Sequence, residues 1–124
     1  MVDWIYVGAG GIIGAIARYE FGRWSARHLD PSFPYATLLI NFLGSLVIAV
    51  FLVWTTDRVL ADPRWRLLVA IGFCGAFTTF SSFAFETLRL YERGSSALAI
   101  ANIFGNNLAA LTAVVAGAVI ARKL

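Results

Sequence analysis

Residues 72–83, Gly-Phe-Cys-Gly-Ala-Phe-Thr-Thr-Phe-Ser-Ser-Phe, set four phenylalanines among two threonines and two serines in a segment apolar enough to cross a bilayer. A lipid-facing helix is aliphatic, and a soluble core does not thread hydroxyls through its aromatics in this way. Hydroxyl groups at membrane depth cost free energy unless something pairs with them, so they point to a pathway or a binding site. Ser, Thr and Asn donate hydrogen bonds without carrying charge, and the edge of a Phe ring is electropositive. Phe80 and Phe83 are three residues apart and fall on one helix face. A phenylalanine stripe alone is ordinary core packing. Interleaved with Thr79, Ser81 and Ser82, and opposed by asparagines elsewhere, it becomes a lane in which a small anion could shed its water. No cation lies deep in that lane, so an anion would not be held too tightly to leave, which is the compromise that conduction requires. The simplest geometry is a helix broken near Gly75.

Other polar residues lie where lipid should be. Thr37 and Asn41 are one helical turn apart, and Asn41 must find a partner. An interhelical hydrogen bond and a pore-lining amide that donates to an anion both satisfy it. Asn102 and Asn106, again four apart, join Asn107 and Thr112 in the last apolar stretch. So many amides mark a protein interface or a wet groove. Arg18 either pairs with Glu20 or snorkels to headgroups, or it sets a positive potential at a pore mouth. Only Glu20 and Glu86 come near the apolar stretches among the acidic residues, each close to an end. A small dual-topology exporter of organic cations, the multidrug type, is the alternative transport class, and it wants a central membrane carboxylate. No serine–histidine pair or metal-ligand cluster supports catalysis.

The elements that must position these residues follow from composition. The chain of 124 residues is 60% hydrophobic and 14% charged, whereas soluble domains carry about 25% charge. Four stretches, roughly 4–23, 36–56, 67–88 and 96–121, reach the length a bilayer core requires. This predicts one all-α domain, 1–124, of four transmembrane helices with a break in the third. The first stretch lacks a preceding basic segment and so does not read as a cleaved signal peptide. Gly10 and Gly14 form a small-xxx-small pair for close helix packing, not a dinucleotide fingerprint, which would need glycine at Ile13. Asp62-Pro63 reads as an N-cap and first helical position. Cys74 reads as a small buried apolar residue, and His28 as a solvated loop histidine. The net charge of +3 has no basic stripe dense enough for nucleic acid.

With four spans, one membrane face carries Arg58, Arg64, Arg66, Arg122 and Lys123, and the other receives Arg23, Arg27, Arg89 and Arg93, with Arg18 just inside. That is almost no positive-inside bias, and it fits insertion both ways round followed by antiparallel dimerisation. A dimer would also supply the pore wall that four helices cannot wrap with their own backs, and the small residues of the first span suit such an interface.

Three segments stand in order along the chain: Gly10-Gly11-x-x-Gly14-Ala15-x-x-Arg18-Tyr19, Thr37-Leu38-x-x-Asn41-x-x-Gly44, and residues 72–83 followed by Glu86. Together they resemble the Fluc (CrcB) family of fluoride channels over essentially the whole length. The resemblance implies a dual-topology antiparallel homodimer in the bacterial inner (plasma) membrane that passes fluoride through two pores. It implies that Phe80 and Phe83 are the paired rings beside the ion path and that Asn41 is its span-2 asparagine. It further implies that the main-chain carbonyls of Gly75 and Thr78 hold a structural, non-permeating sodium ion on the dimer axis. Ala76 stands where many relatives carry a second glycine. Asn102 and Asn106 take the places of a tyrosine and serines. Hydrogen fluoride crosses lipid uncharged and dissociates in a neutral cytoplasm, so a passive route for the anion would suffice for its export.

Overall fold

A computed structural model of the chain describes residues 2–58 and 62–124. Its regular elements, in order, are α1 (Asp3–His28), α2 (Tyr35–Arg58), a first turn α3 (Pro63–Trp65), a π-helix (Arg66–Cys74), a single turn α4 (Gly75–Phe77), α5 (Phe80–Glu92) and α6 (Ser96–Lys123). All regular structure among the described residues is helical. Three helical stretches, Tyr35–Arg58, Pro63–Glu92 and Ser96–Lys123, are long and apolar enough to cross a membrane. α1 has 26 residues, about 39 Å at 1.5 Å per residue, but Arg18, Glu20 and Arg23 dilute its apolar character.

Local chemistry sets the ends. Asp3 lies in the first turn of α1, and Arg27 and His28 lie in its last, each complementing the helix dipole. His28 is therefore a helical residue rather than a loop residue. Its Nδ1 donates to the Trp24 carbonyl (2.8 Å), and its ring stacks on Trp24. α1 outlasts its apolar stretch because capping and aromatic contacts, not hydropathy, decide where a helix stops. In the following turn, Asp30 Oδ1 accepts the Ser32 N–H (2.8 Å), a bond that holds this exposed carboxyl below its ordinary range. Asp62 Oδ1 accepts the Arg64 N–H (2.9 Å) with Pro63 at the first helical position, as that dipeptide predicts. Gly94 turns the chain between α5 and α6 with φ +80°, a conformation that suits glycine.

The packing resolves into two parallel helix pairs. Along α2 and α6, Leu38 meets Gly105, Asn41 meets Asn106 and Ala49 meets Gly117, so both helices advance in the same direction. α1 lies in the same way along the π-helix. A Cβ on Gly10 would collide with the Leu68 carbonyl, and one on Gly14 with the Phe73 carbonyl. From the facing side, a Cβ on Gly72 would come within 2.6 Å of the Val7 carbonyl. The small-xxx-small pair of α1 is thus occupied within its own chain, against the π-helix. Gly10 and Gly14 are buried, as a close-packing pair predicts, and of the small residues of the first span these two do not offer a surface to a second copy. Gly8 and Gly11 have open space where a Cβ would stand.

Cys74 is buried, as its apolar setting predicts. Large apolar side chains, among them Ile12, Ile13, Ile16, Phe104, Leu111 and Val115, face outward. A water-soluble monomer rarely leaves so broad an apolar surface uncovered. Exposed Trp4, Trp54 and Trp65 stand near one set of helix ends, and Trp24 and Tyr91 near the other, where amphipathic rings sit at membrane interfaces.

The glycine crossing yields the first prediction. Gly14→Ala drives a methyl into backbone that cannot withdraw, and it should destabilise by about 1–3 kcal/mol. Gly8→Ala should be neutral or mildly stabilising, because alanine is the better helix former. Thermal unfolding in detergent distinguishes them, and equal midpoints for the two variants would contradict the packing.

Candidate functional site

The segment after the π-helix departs from helix in one place only. Gly75 itself is helical, with φ −62° and ψ −38°. The chain becomes extended at Thr78 (φ −76°, ψ 157°) and Thr79 (φ −151°, ψ 114°), then resumes helix at Phe80. The interruption therefore falls at Thr78-Thr79, three residues beyond Gly75, near which the sequence places it. Its position follows from its partners. Thr79 N–H donates to Asn41 Oδ1 (2.8 Å), and Asn41 Nδ2 donates back to the Thr79 carbonyl (3.1 Å). One side-chain amide thus pairs both main-chain groups of an extended residue, as a neighbouring strand would. Gly44, a turn along from Asn41, makes room: a Cβ there would collide with the Thr78 Cγ2 methyl. Thr78 Oγ1 turns back to the Cys74 carbonyl (2.8 Å).

The hydroxyls beyond the interruption cap α5. Thr79 Oγ1 accepts the Ser82 N–H (3.1 Å) and lies within hydrogen-bond distance of Ser82 Oγ (3.1 Å) and Ser81 Oγ (3.3 Å). Thr79 is therefore the N-cap of this helix, and Ser81 and Ser82 cluster about it.

Against the interruption lies a cavity of about 390 Å³. Asn41, Thr79, Phe80, Phe83 and Asn106 line it, with Gly75 and Thr78 at its wall. Among the described residues, no charged side chain lines it. Phe80 and Phe83 meet with centroids 5.3 Å apart and their planes tilted by 59°. They differ in environment: Phe83 is 7% exposed and Phe80 76% exposed. One ring closes the core and the other projects from the chain surface.

The remaining expected site residues divide. Asn102 is wholly buried, and it stands behind Asn106 rather than on the cavity. Thr37 lies elsewhere on α2, donating to Glu86 Oε1 (2.8 Å). The other carboxylate oxygen, Glu86 Oε2, is enclosed without a partner. Arg18 is not among the cavity residues, and its neighbour Glu20 pairs with Arg23 instead (3.4 Å). Asn107, one of the amides that mark an interface or a wet groove in the last helix, lines the cavity, and so does Ser45, which the sequence did not mark. Ser45 stands one turn after Asn41 on the same face of α2.

The chain matches known proteins over nearly its whole length. A family profile described as CrcB-like protein, Camphor Resistance (CrcB), matches residues 5–118. The chain belongs to the CrcB family. A protein of Koribacter versatilis named fluoride-specific ion channel FluC is 48% identical over 98% of this chain and 97% of its own length. Proteins of the same name from a Sulfurihydrogenibium species and from Saccharophagus degradans are each 40% identical over the whole of this chain, covering 100% and 92% of their own lengths. The chain is an all-helical, multi-pass membrane protein of that family.

Asn41 is the residue on which the interruption rests. Asn41→Leu removes the acceptor for Thr79 N–H and the donor to its carbonyl, and each buried group left unpaired costs about 1–3 kcal/mol. The variant should lose several kcal/mol of stability in a detergent melt. Ser45→Ala, on the same cavity, should shift the midpoint little. A melt unaltered by Asn41→Leu would show that the interruption holds itself.

Proposed function

We propose that the chain is a fluoride channel that passively exports fluoride from the cytoplasm and so protects against its toxicity. The observation that carries this is the cavity at the interruption, lined by neutral polar groups and phenylalanine rings and by no charged side chain among the described residues. Full-length relatives named as fluoride-specific channels support it. The relatives are channels, and the chain is a channel rather than an enzyme.

The chemistry suits a small, strongly hydrated anion. Ring edges and neutral N–H and O–H groups can replace water without binding so tightly that the ion stays. A negative-inside potential drives an anion outward by about 2.3 kcal/mol per 100 mV, so neither nucleotide nor proton coupling is required. The organic-cation exporter is not favoured. Its membrane carboxylate would have to be Glu86, which lies off this cavity and is bonded to Thr37.

α1 serves as the fourth span, and the interruption in Pro63–Glu92 lies at membrane depth. An antiparallel, dual-topology homodimer in the inner membrane supplies the second wall of the pathway. Phe80, three-quarters exposed on one chain, then projects into the partner's half of the path. Thr37 and Glu86, with Arg18 nearer the rim, belong to the approaches to the central cavity.

The residues also fit a structural sodium ion at the twofold axis. Thr79 N–H donates to Asn41 rather than to Gly75, so the Gly75 carbonyl loses the donor a continuous helix would provide. The Thr78 carbonyl leaves the helix direction at an extended residue. Both residues stand at the cavity wall. Carbonyl oxygens of this kind replace the water of a hard cation, and such an ion would fix the two chains without permeating.

Purified protein in liposomes should pass fluoride far faster than chloride, without ATP or a proton gradient. Phe80→Ile and Phe83→Ile should remain folded dimers, with a stability cost of about 1.5 kcal/mol or less, and lose most fluoride flux. The adaptable, polarisable Met should be tolerated better. Equal chloride flux, cation-only transport, or normal flux in both isoleucine variants would refute the assignment. Exchange of sodium for N-methylglucamine should weaken the dimer on size exclusion, and C-terminal tags on intact cells should be accessible in only part of the population. Indifference to the exchange argues against the ion, and a uniformly protected tag against dual topology.

A further inference from the structure

Polar groups on the cavity and behind it form one directed chain. Thr87 Oγ1 donates to the Phe83 carbonyl (2.8 Å) and accepts from Asn102 Nδ2 (2.9 Å). Asn102 Oδ1 accepts from Asn106 Nδ2 (2.8 Å), and the Asn102 carbonyl accepts from the same nitrogen (3.2 Å). Asn106 Oδ1 accepts from Asn41 Nδ2 (3.2 Å). Asn41 then closes on both main-chain groups of Thr79.

Main-chain anchors fix the polarity of every amide in this chain. Thr79 N–H can only donate, which sets Asn41 Oδ1 toward it. The Asn102 carbonyl can only accept, which sets Asn106 Nδ2 toward it. Asn106 Oδ1 is thereby the group left facing Asn41. The consequence is that both N–H bonds of Asn41 are already engaged, one to the Thr79 carbonyl and one to Asn106 Oδ1.

We propose that Thr87, Asn102 and Asn106 form an amide relay that sets how firmly Asn41 can hold an anion in the cavity. The proposal rests on the channel reading above. The Asn41–Asn106 bond joins two neutral groups at 3.2 Å, whereas a hydrogen bond to an anion is charge-assisted and about twice as strong. An arriving anion therefore takes this N–H from Asn106. The short bond from Thr79 N–H to Asn41 Oδ1 stays in place, so the interruption keeps its form. When the anion moves on, Asn106 recovers the donor. Asn106 is an internal competitor that weakens binding and speeds release. It competes only while its carbonyl faces Asn41, and Asn102 and Thr87 hold it there. Neither Asn102 nor Thr87 lines the cavity, so both are positioning residues.

Fluoride efflux from liposomes, measured over a series of fluoride concentrations, tests the relay. Asn102→Leu keeps the forked side-chain shape at a larger volume, and Thr87 still donates to Phe83 without it. Asn106 Nδ2 then loses its shorter acceptor at 2.8 Å and keeps only the residue-102 carbonyl at 3.2 Å. Its Oδ1 is held less firmly toward Asn41, so the half-saturating fluoride concentration should fall about threefold to tenfold, the equivalent of one net hydrogen bond, with a lower maximal flux. Thr87→Val should move both in the same direction by less, and Thr87→Ser, which keeps the hydroxyl, should restore wild-type values. A variant that lowers maximal flux at constant half-saturation would overturn the relay, because loss of packing alone gives that pattern. Hydrogen exchange of the Asn41 side-chain amide, followed by NMR on 15N-asparagine protein, reads the same contact without transport. It should accelerate in Asn102→Leu, and unaltered exchange overturns the proposal. Absence of fluoride flux in the wild type would defeat the channel assignment, and the exchange rates would then decide the relay by themselves.

Discussion

The main chain abandons helix at Thr78 and Thr79 inside an apolar bundle, and the side-chain amide of Asn41 is what permits this. An extended residue presents an N–H and a carbonyl that no helical neighbour can pair. In a region that excludes water, such groups must be satisfied within the protein. A carboxylate could only accept and would bring charge, and a hydroxyl is too short to reach both groups. An amide carries a donor and an acceptor on one planar group, and Asn41 uses both on Thr79. Gly44 completes the fit by leaving room for the Thr78 methyl. The cavity, its aromatic wall and the carbonyls at Gly75 and Thr78 all exist because the chain can be interrupted there.

The frame around this point is built to resist movement. α1 and the π-helix touch backbone to backbone across Gly10, Gly14 and Gly72, and α2 meets α6 at Gly117 with Ala49. Without a hydrophobic difference between helix and lipid, such close contacts supply the packing that holds membrane helices together. The wide turns of the π-helix bring Leu68 and Phe73 to the same stretch of α1. Two stiff parallel pairs leave the cavity between them, with the α5 aromatics at its edge and Phe80 reaching beyond the chain.

Most polar groups near the cavity are engaged with one another. Ser81 and Ser82 gather at the cap of α5, Thr78 turns to Cys74, and Asn41 and Asn106 bond each other. An ion in this place would be offered donors that already have partners. A site of that kind binds by exchange, and exchange keeps affinity modest while excluding water. Structure, affinity and rate of release are then linked through the same few hydrogen bonds.

The sequence by itself determined the helical class, the long apolar stretches, the Asp62-Pro63 start and the concentration of Phe, Thr and Ser that became the cavity edge. These depend on composition and on partners within a turn or two, which periodicity reports. Tertiary structure alone decided that the interruption sits at Thr78-Thr79 and not at Gly75. It also decided that Asn102 lies buried behind Asn106, that Gly10 and Gly14 pack within the chain, and that Phe80 and Phe83 face different surroundings. The reason is the distance in sequence over which these groups are paired. Asn41 lies 38 residues from Thr79 and 65 from Asn106, and Thr37 lies 49 from Glu86. Local spacing shows that such polar groups need partners, but only the packed bundle brings the partners within reach.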